Sequence, residues 1–183
     1  MILIFILALV TRVYIPPHEH LVYIDEPWIM EAAKNMLQTF HQGDFQMSIG
    51  WPFILSIVFG IFGVDNRFAL YTSTFLGALT IFNIFFLAYI ITNRKLTGLV
   101  SALFFSIFPA HIRWSAAAEN NIASIFFTTM AIFFCFLYYK HKRYSLLWLS
   151  LISIAFTSQI RIENYTLPLL FLLGVYIYHK KYH

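Results

Sequence analysis

Apolar runs separated by short charged breaks dominate the chain. Phe68 to Thr92 carries no charged residue, and Leu96 to Pro109, Ile122 to Tyr139, Tyr144 to Thr157 and Tyr165 to Tyr178 follow it. Ile2 to Val13 is a shorter run at the start. It lacks the basic leader and small-residue cleavage site of a signal peptide, so it reads as a first span whose beginning is clipped. A membrane-crossing helix needs about 20 mostly apolar residues, and this pattern predicts six spans. Pro52 to Val64 is apolar over only 13 residues and opens on Gly50 and Pro52. Such a length fits a segment lying in the membrane interface better than one crossing it.

The largest hydrophilic stretch runs from Tyr14 to Arg67. Within it Trp28, Ile29, Ala32, Ala33, Met36, Leu37 and Phe40 recur at helical spacing, while Glu31, Lys34, Asn35 and Gln38 fall on the other side. The spacing predicts an amphipathic helix over residues 26–40, with its apolar stripe towards lipid or the bundle. Together with segment 52–64 it makes a juxtamembrane helix pair in the first outer loop. Asp25 and Glu26 open the first helix of the pair, and Pro27 sits in its first turn, where proline is tolerated. One acid at a helix start is explained by capping and by the helix dipole, an effect of about 1 kcal/mol. A second acid beside it is surplus to that need.

Composition agrees with the pattern. Hydrophobic residues make up 60% of the chain and charged residues 11%, against roughly 45–50% and 25% in a soluble domain. The expected class is an all-α, polytopic membrane helix bundle of about six transmembrane helices, one module over residues 1–183. Seven of the twelve basic residues, Arg94, Lys95, Lys140, Lys142, Arg143, Lys180 and Lys181, fall on one side of a six-span topology. The positive-inside rule makes that side cytoplasmic, with both termini on it. The +4 net charge is thus a topology signal, and no nucleic-acid partner is expected. Cys135 is the only cysteine and lies in an apolar run, so no intrachain disulfide can form.

The same topology puts all eight acids on the opposite face: Glu19, Asp25, Glu26, Glu31, Asp44, Asp65, Glu119 and Glu163. Arg12, Lys34, Arg67, Arg113 and Arg161 join them there. Arg113 and Glu119 lie between two spans in the run Pro109-Ala-His-Ile-Arg-Trp-Ser, which continues to Glu119-Asn-Asn. Arg161 and Glu163 end the fifth span in Gln159-Ile-Arg-Ile-Glu-Asn. Ionisable groups at membrane depth cost about 2.5–3.5 kcal/mol each on insertion scales and mark sites by default. Arg113 snorkelling to headgroups, or Arg161 and Glu163 forming a simple ion pair, would be a structural alternative. Three loops delivering acids to one face favour a shared site. His18-Glu19-His20 is a poor metal motif, with two histidines two apart and no third ligand nearby. Asn164-Tyr-Thr166 fits the glycosylation pattern but sits close to the membrane.

The order of these motifs resembles the membrane glycosyltransferases of the GT-C fold, in the branch of protein O-mannosyltransferases and lipid A aminoarabinose transferases (family 39-like). Thr11-Arg12 ends the first span, and the run from Tyr23 through Asp25-Glu26-Pro-Trp to Met36 is similar to the family's acidic first-loop motif. Gly50-Trp-Pro-Phe resembles its proline-containing entry to a juxtamembrane helix, and Ser158-Gln-Ile-Arg-Ile-Glu its "T-R-x-E". The family's tyrosine after the acidic pair is replaced by Ile29 or Met30, and its double proline is reduced to Pro52. Members usually carry more spans and often a soluble C-terminal domain, so the resemblance implies an N-terminal portion.

The resemblance implies a transferase moving a sugar from a polyprenyl-phosphate donor to a protein or lipid acceptor, at the outward face of a multi-pass protein of the plasma membrane. Asp25 aligns with the family's first-loop aspartate and would be the base, with Glu26 supporting it or contacting a metal. Arg113 and Arg161 would bind the donor phosphate, and Glu119 and Glu163 would orient them or the sugar. The resemblance fixes no cofactor; a divalent cation is the candidate, with Asp25 and Glu26 as its candidate ligands. The outer aromatics Tyr23, Trp28, Trp51, Trp114 and Tyr165 read as an interfacial belt rather than a sugar platform. The competing class is a non-catalytic membrane subunit or a small transporter. A transporter would carry charges near the bilayer midplane, and the span interiors here have none.

Overall fold

The computed structural model describes residues 1–14, 23–41 and 48–182, with side chains as far as Gly174. His18-Glu19-His20 and Asp44 lie outside the described residues, as do the side chains of Lys180 and Lys181. The described residues form helices and no strand: α1 (Ile2–Tyr14), α2 (Glu26–Thr39), α3 (Gly50–Phe62), α4 (Asn66–Thr92), α5 (Lys95–Ser106), α6 (Pro109–Trp114), α7 (Asn120–His141), α8 (Tyr144–Ile160), a 3-10 turn (Ile162–Tyr165) and α9 (Thr166–Tyr182). The expected all-α bundle is what forms.

The bundle is inverted relative to a soluble core. α4 buries Ala69, Leu70, Ser73, Thr74, Gly77, Ala78, Thr80 and Ile81, mostly small or hydroxyl-bearing residues. Its Tyr71, Phe75 and Phe86 are exposed. α8 likewise buries Ser150, Ser153, Thr157 and Ser158 while Trp148, Leu149 and Ile152 point outward. Lipid tails are as apolar as leucine, so small residues pack helices closely and hydroxyls bond across the seams. Thr128 and Thr157 Oγ1 atoms meet at 2.9 Å between α7 and α8, and Ser150 Oγ donates to Ala131 O at 2.9 Å. Asn83 Nδ2 ties α4 to α7 through Phe126 O and Thr129 Oγ1, each at 3.1 Å. These pairs satisfy polar groups that hydrocarbon would otherwise leave unpaired.

Among the described residues two helices, α4 and α7, are long and apolar enough to cross a bilayer. α5 has 12 residues, a reach of about 18 Å against roughly 30 Å of hydrocarbon. The run from Leu96 to Pro109 is interrupted because Pro109 has no N–H to continue α5; instead it starts α6, where its missing donor is harmless. Asn93 and Lys142, both left-handed with φ of 53° and 55°, end α4 and α7. Lys140 Nζ donates to Asn93 Oδ1 at 2.8 Å, which joins the two basic breaks at one end of the bundle.

At the other end α2 and α3 pack on each other and on the bundle. Ile29, Met30 and Ala33 of α2 share a core with Trp51, Leu55 and Phe59 of α3 and with Ala118, Ala123 and Ile160. The predicted helix is present, and Ile29, Ala32, Ala33 and Met36 of its stripe are buried. Met30 is buried, whereas Trp28, Leu37 and Phe40 are exposed. Contact with α3 and the start of α7 selects the buried face, and Trp28 and Phe40 are left for the surroundings. Gly50 makes this docking possible, because a Cβ there would stand 2.8 Å from Gln159 O at the end of α8.

Candidate active site at the acid-rich cleft

The start of α7, the end of α8 and the loop before α2 meet at the acid-rich end. They enclose a cleft of about 490 Å³ lined by Asp25, Ser48, Trp114, Glu119, Asn120, Asn121, Arg161, Ile162 and Glu163. Four of the six residues singled out in the sequence, Asp25, Glu119, Arg161 and Glu163, therefore share one cavity. Its volume is within the range of small-molecule sites, about 300–1,000 Å³.

Arg161 organises one wall. Its Nη2 and Nε donate to Glu163 Oε1 and Oε2 at 2.9 and 3.1 Å, a two-pronged pair. Its Nη1 donates to Asn121 Oδ1. Asn121 Nδ2 in turn donates to Glu119 Oε2 at 2.6 Å. The result is a relay Glu163–Arg161–Asn121–Glu119 along the cleft. The Arg161 hydrogen bonds hold the Glu163 carboxyl down at about 2, and the same bonds push the Arg161 guanidinium up. Glu119 moves the other way: burial raises it first, and the nearby charges of Asp25 and Glu26 add to the rise.

Asp25 and Glu26, adjacent in sequence, do different things. Asp25 makes no side-chain cap to α2 and lines the cleft. Glu26 is fully buried. Its Oε2 accepts from Tyr23 N at 2.8 Å, and its Oε1 from Ala118 N at 2.5 Å. Backbone donors outside α2 thus account for Glu26, and neither acid caps the first turn of the helix through these bonds. Trp51 Nε1 donates to Ala118 O at 2.6 Å, so both polar groups of Ala118 are held by side chains from the first loop. This latch fixes the 115–118 turn beneath the cleft. The expectation of a cation held by Asp25 and Glu26 meets a geometric obstacle, since Glu26 is turned inward onto backbone donors.

Arg113 lies apart from its predicted partners. It is exposed and outside the cleft lining, with Nε donating to Tyr23 Oη at 3.1 Å. Trp114 stacks on Tyr23 with ring centroids 4.7 Å apart. The short helix α6 explains the divergence, because it directs Arg113 to the rim and Trp114 to the cleft wall. Asn121 carries no signal in the sequence beyond its position two residues after Glu119. Asn164 is half-buried, and its Nδ2 bonds Ser124 Oγ at 2.7 Å and Thr157 at 3.1 Å, which disfavours it as a glycosylation acceptor.

The chain is similar over 140 residues, at 29% identity, to a protein of uncharacterised function from Aquifex aeolicus (strain VF5). The match covers 70% of this chain but 28% of the relative, so the chain spans little more than a quarter of that protein's length. No solved structure matches. The model of the dolichyl-phosphate-mannose-protein mannosyltransferase family matches residues 47–182, a stretch that contains Arg113, Glu119, Arg161 and Glu163 and begins after Asp25 and Glu26. With that match over most of its length, the chain belongs to the dolichyl-phosphate-mannose-protein mannosyltransferase family, of GT-C type.

Proposed function

We propose that this chain supplies the base and the phosphate-facing wall of a glycosyltransferase that uses a polyprenyl-phosphate sugar donor at the non-cytoplasmic membrane face. The observation that carries the reading is the single cleft in which Asp25 and Arg161 are both lining residues. In the reaction, the oxygen of an acceptor hydroxyl, on protein or lipid, attacks the sugar's anomeric carbon. The bond from that carbon to the phosphate oxygen breaks, and the polyprenyl phosphate departs with the electron pair. Asp25 takes the hydroxyl proton. Arg161 stabilises the charge gathering on the phosphate, a role that suits its fork of donors. Glu163 occupies that fork in the structure at 2.9 Å and is the group a phosphate would displace or share. Glu119, held by Asn121, faces the sugar. In this reading the protein sits in the plasma membrane with the cleft outward and both termini cytoplasmic, an orientation supported by the clustering of Lys and Arg in the breaks at the opposite end.

The test is Asp25→Asn in the whole protein, assayed for transfer of labelled sugar from polyprenyl phosphate. Transfer should fall by about 10²- to 10⁴-fold, the usual worth of a general base, with membrane insertion unchanged. Wild-type rates in this variant would remove Asp25 as the base.

A further inference from the structure

Arg12 is fully buried in α1 and has no carboxylate partner among the described residues. Its guanidinium makes four hydrogen bonds instead. Nη1 donates to Ala8 O and Ser106 O at 3.0 Å each, and Nη2 to Phe105 O at 3.4 Å and His111 Nδ1 at 2.8 Å. Two of these acceptors are the last carbonyls of α5. Pro109 stands four residues after Phe105, where a continuing helix would supply an N–H, and proline has none. Phe108 N reaches Phe105 O only at 3.4 Å, and a cation from another helix supplements the end of α5, where the helix dipole also favours positive charge.

The fourth bond carries the effect onward. With Arg12 donating to Nδ1, His111 must be neutral, with its proton on Nε2. Arg12 of α1 and Ser115 Oγ, 3.4 Å away, are the polar groups at Nδ1, Nε2 is buried without a hydrogen-bond partner, and the Phe105 ring of α5 packs on the imidazole at 4.4 Å. Burial, and then the Arg12 charge, hold His111 down at about 3, so it stays neutral across physiological pH. His111 O accepts from both Ser115 N and Ser115 Oγ, at 3.0 and 2.6 Å, and Thr74 Oγ1 donates to Ser115 O at 2.9 Å. Ser115 begins the turn that ends at Ala118, the residue latched by Glu26 and Trp51. Gly77 lies against this node, where a Cβ would collide with the Ser115 hydroxyl.

We propose that Arg12 is a positioning residue that acts through neutral His111, holding the α5–α6 corner and its 115–118 turn in register with the cleft. The inference rests on the proposed transferase reading for its activity arm alone. Arg12 touches neither the cleft lining nor any reacting group. Its effect is geometric, and a lysine, with one point charge in place of a fork, cannot reproduce it.

The test uses the full-length protein in two arms. Nitrogen-15 NMR of histidine reads the clamp without any assay of activity. Wild-type His111 should be the fixed Nε2–H tautomer, and Arg12→Met should mix the tautomers and move its titration upward. An unchanged His111 signal in that variant would overturn the clamp. In the transfer assay, Arg12→Lys and His111→Leu should each lower kcat by about 100-fold, the scale of a 1 Å misplacement, with the donor KM held within about threefold. His111→Asn keeps an acceptor near the Nδ1 position and should restore most of that loss. Equal losses in His111→Asn and His111→Leu would reject positioning through the ring nitrogen. If wild type transfers no sugar, the transferase reading fails, and the NMR arm still decides the clamp.

Discussion

Arg12 and Arg161 stand at opposite extremes of how a membrane protein uses a guanidinium. Arg12 is sealed inside the bundle and bonded to backbone carbonyls and a neutral imidazole. Arg161 is about one-third exposed at the cleft and bonded to a carboxylate that is itself 68% exposed. A buried cation whose Nη donors go to fixed carbonyls and an imidazole, and whose unpartnered Nε is sealed from solvent, is closed to a ligand arriving from outside. A rim cation paired with an exposed carboxylate can exchange that partner for a phosphate at little cost, since exposed pairs contribute only about 0–1 kcal/mol. The contrast separates architecture from chemistry within one residue type. The same division runs through Glu26 and Asp25, the first latched to two backbone N–H groups and the second lining the cleft.

The strongest way to break the comparison is to attack the architectural member. Glu26→Ala leaves the Tyr23 and Ala118 amides unpaired, at about 1–3 kcal/mol for each buried donor. Thermal unfolding in detergent should register that loss, and Glu26→Gln, which retains one acceptor oxygen, should recover part of it. An unchanged midpoint for Glu26→Ala would mean that the latch contributes nothing. The matching attack on the rim is Arg161→Ala, expected to leave the unfolding midpoint nearly unchanged while weakening donor use in the transfer assay. Removal of one charge-assisted contact predicts a loss in kcat/KM of about 10- to 100-fold, from roughly 1.5–3 kcal/mol. Arg161→Lys should recover only part, since a single ammonium cannot reproduce the two-pronged geometry.

This division was only half legible in the sequence. Apolar runs and charge breaks mark the spans because lipid imposes length and composition on every helix that crosses it. The six-span topology brings the acids Asp25, Glu119 and Glu163 to one end together with Arg161, and the fold places all four in one cleft. What the pattern cannot contain is direction. Asp25 and Glu26 are equivalent letters until the backbone at Tyr23 turns one inward. Arg113 appears equivalent to Arg161 until α6 aims it at Tyr23. Met30 falls outside the predicted apolar stripe yet is buried, because the partner face on α3 decides which side of α2 is covered. Arg12 and His111 are 99 positions apart, and no local spacing announces their contact.

Within the cleft, Glu119 and Glu163 offer a subtler comparison, since their proton affinities move in opposite directions. Glu119 is raised by burial and by Asp25 and Glu26. Its folded state thus holds a proton more tightly than the unfolded chain, and the associated stability is present below the ordinary glutamate value and lost as pH rises through the raised one. At neutral pH the Glu119 charge is a strain on the fold. Glu119→Gln should therefore raise the unfolding midpoint slightly at pH 7 and flatten its decline above pH 4.5. A lower midpoint at pH 7 would show that the Asn121 bond outweighs the crowding of acids. Sugar transfer should fall in the same variant, because sites built for chemistry are commonly less stable than their substitutes.

Glu163 provides the smallest and sharpest effect. Arg161 lowers it to about 2, so the pair's contribution is present above 4.5, the unfolded value, and disappears as pH falls from there through 2. Because the pair is exposed, Glu163→Gln should cost no more than about 1 kcal/mol at neutral pH. That difference should vanish in acid, where wild-type Glu163 is also protonated. Paired unfolding curves of the two proteins at pH 7 and well below pH 2 measure this directly. A gap that persists in acid would assign the effect to packing of the 162–165 turn rather than to the ion pair. A gap that closes, together with a donor KM altered by the same substitution, would identify Glu163 as the carboxylate that yields the Arg161 fork to the phosphate.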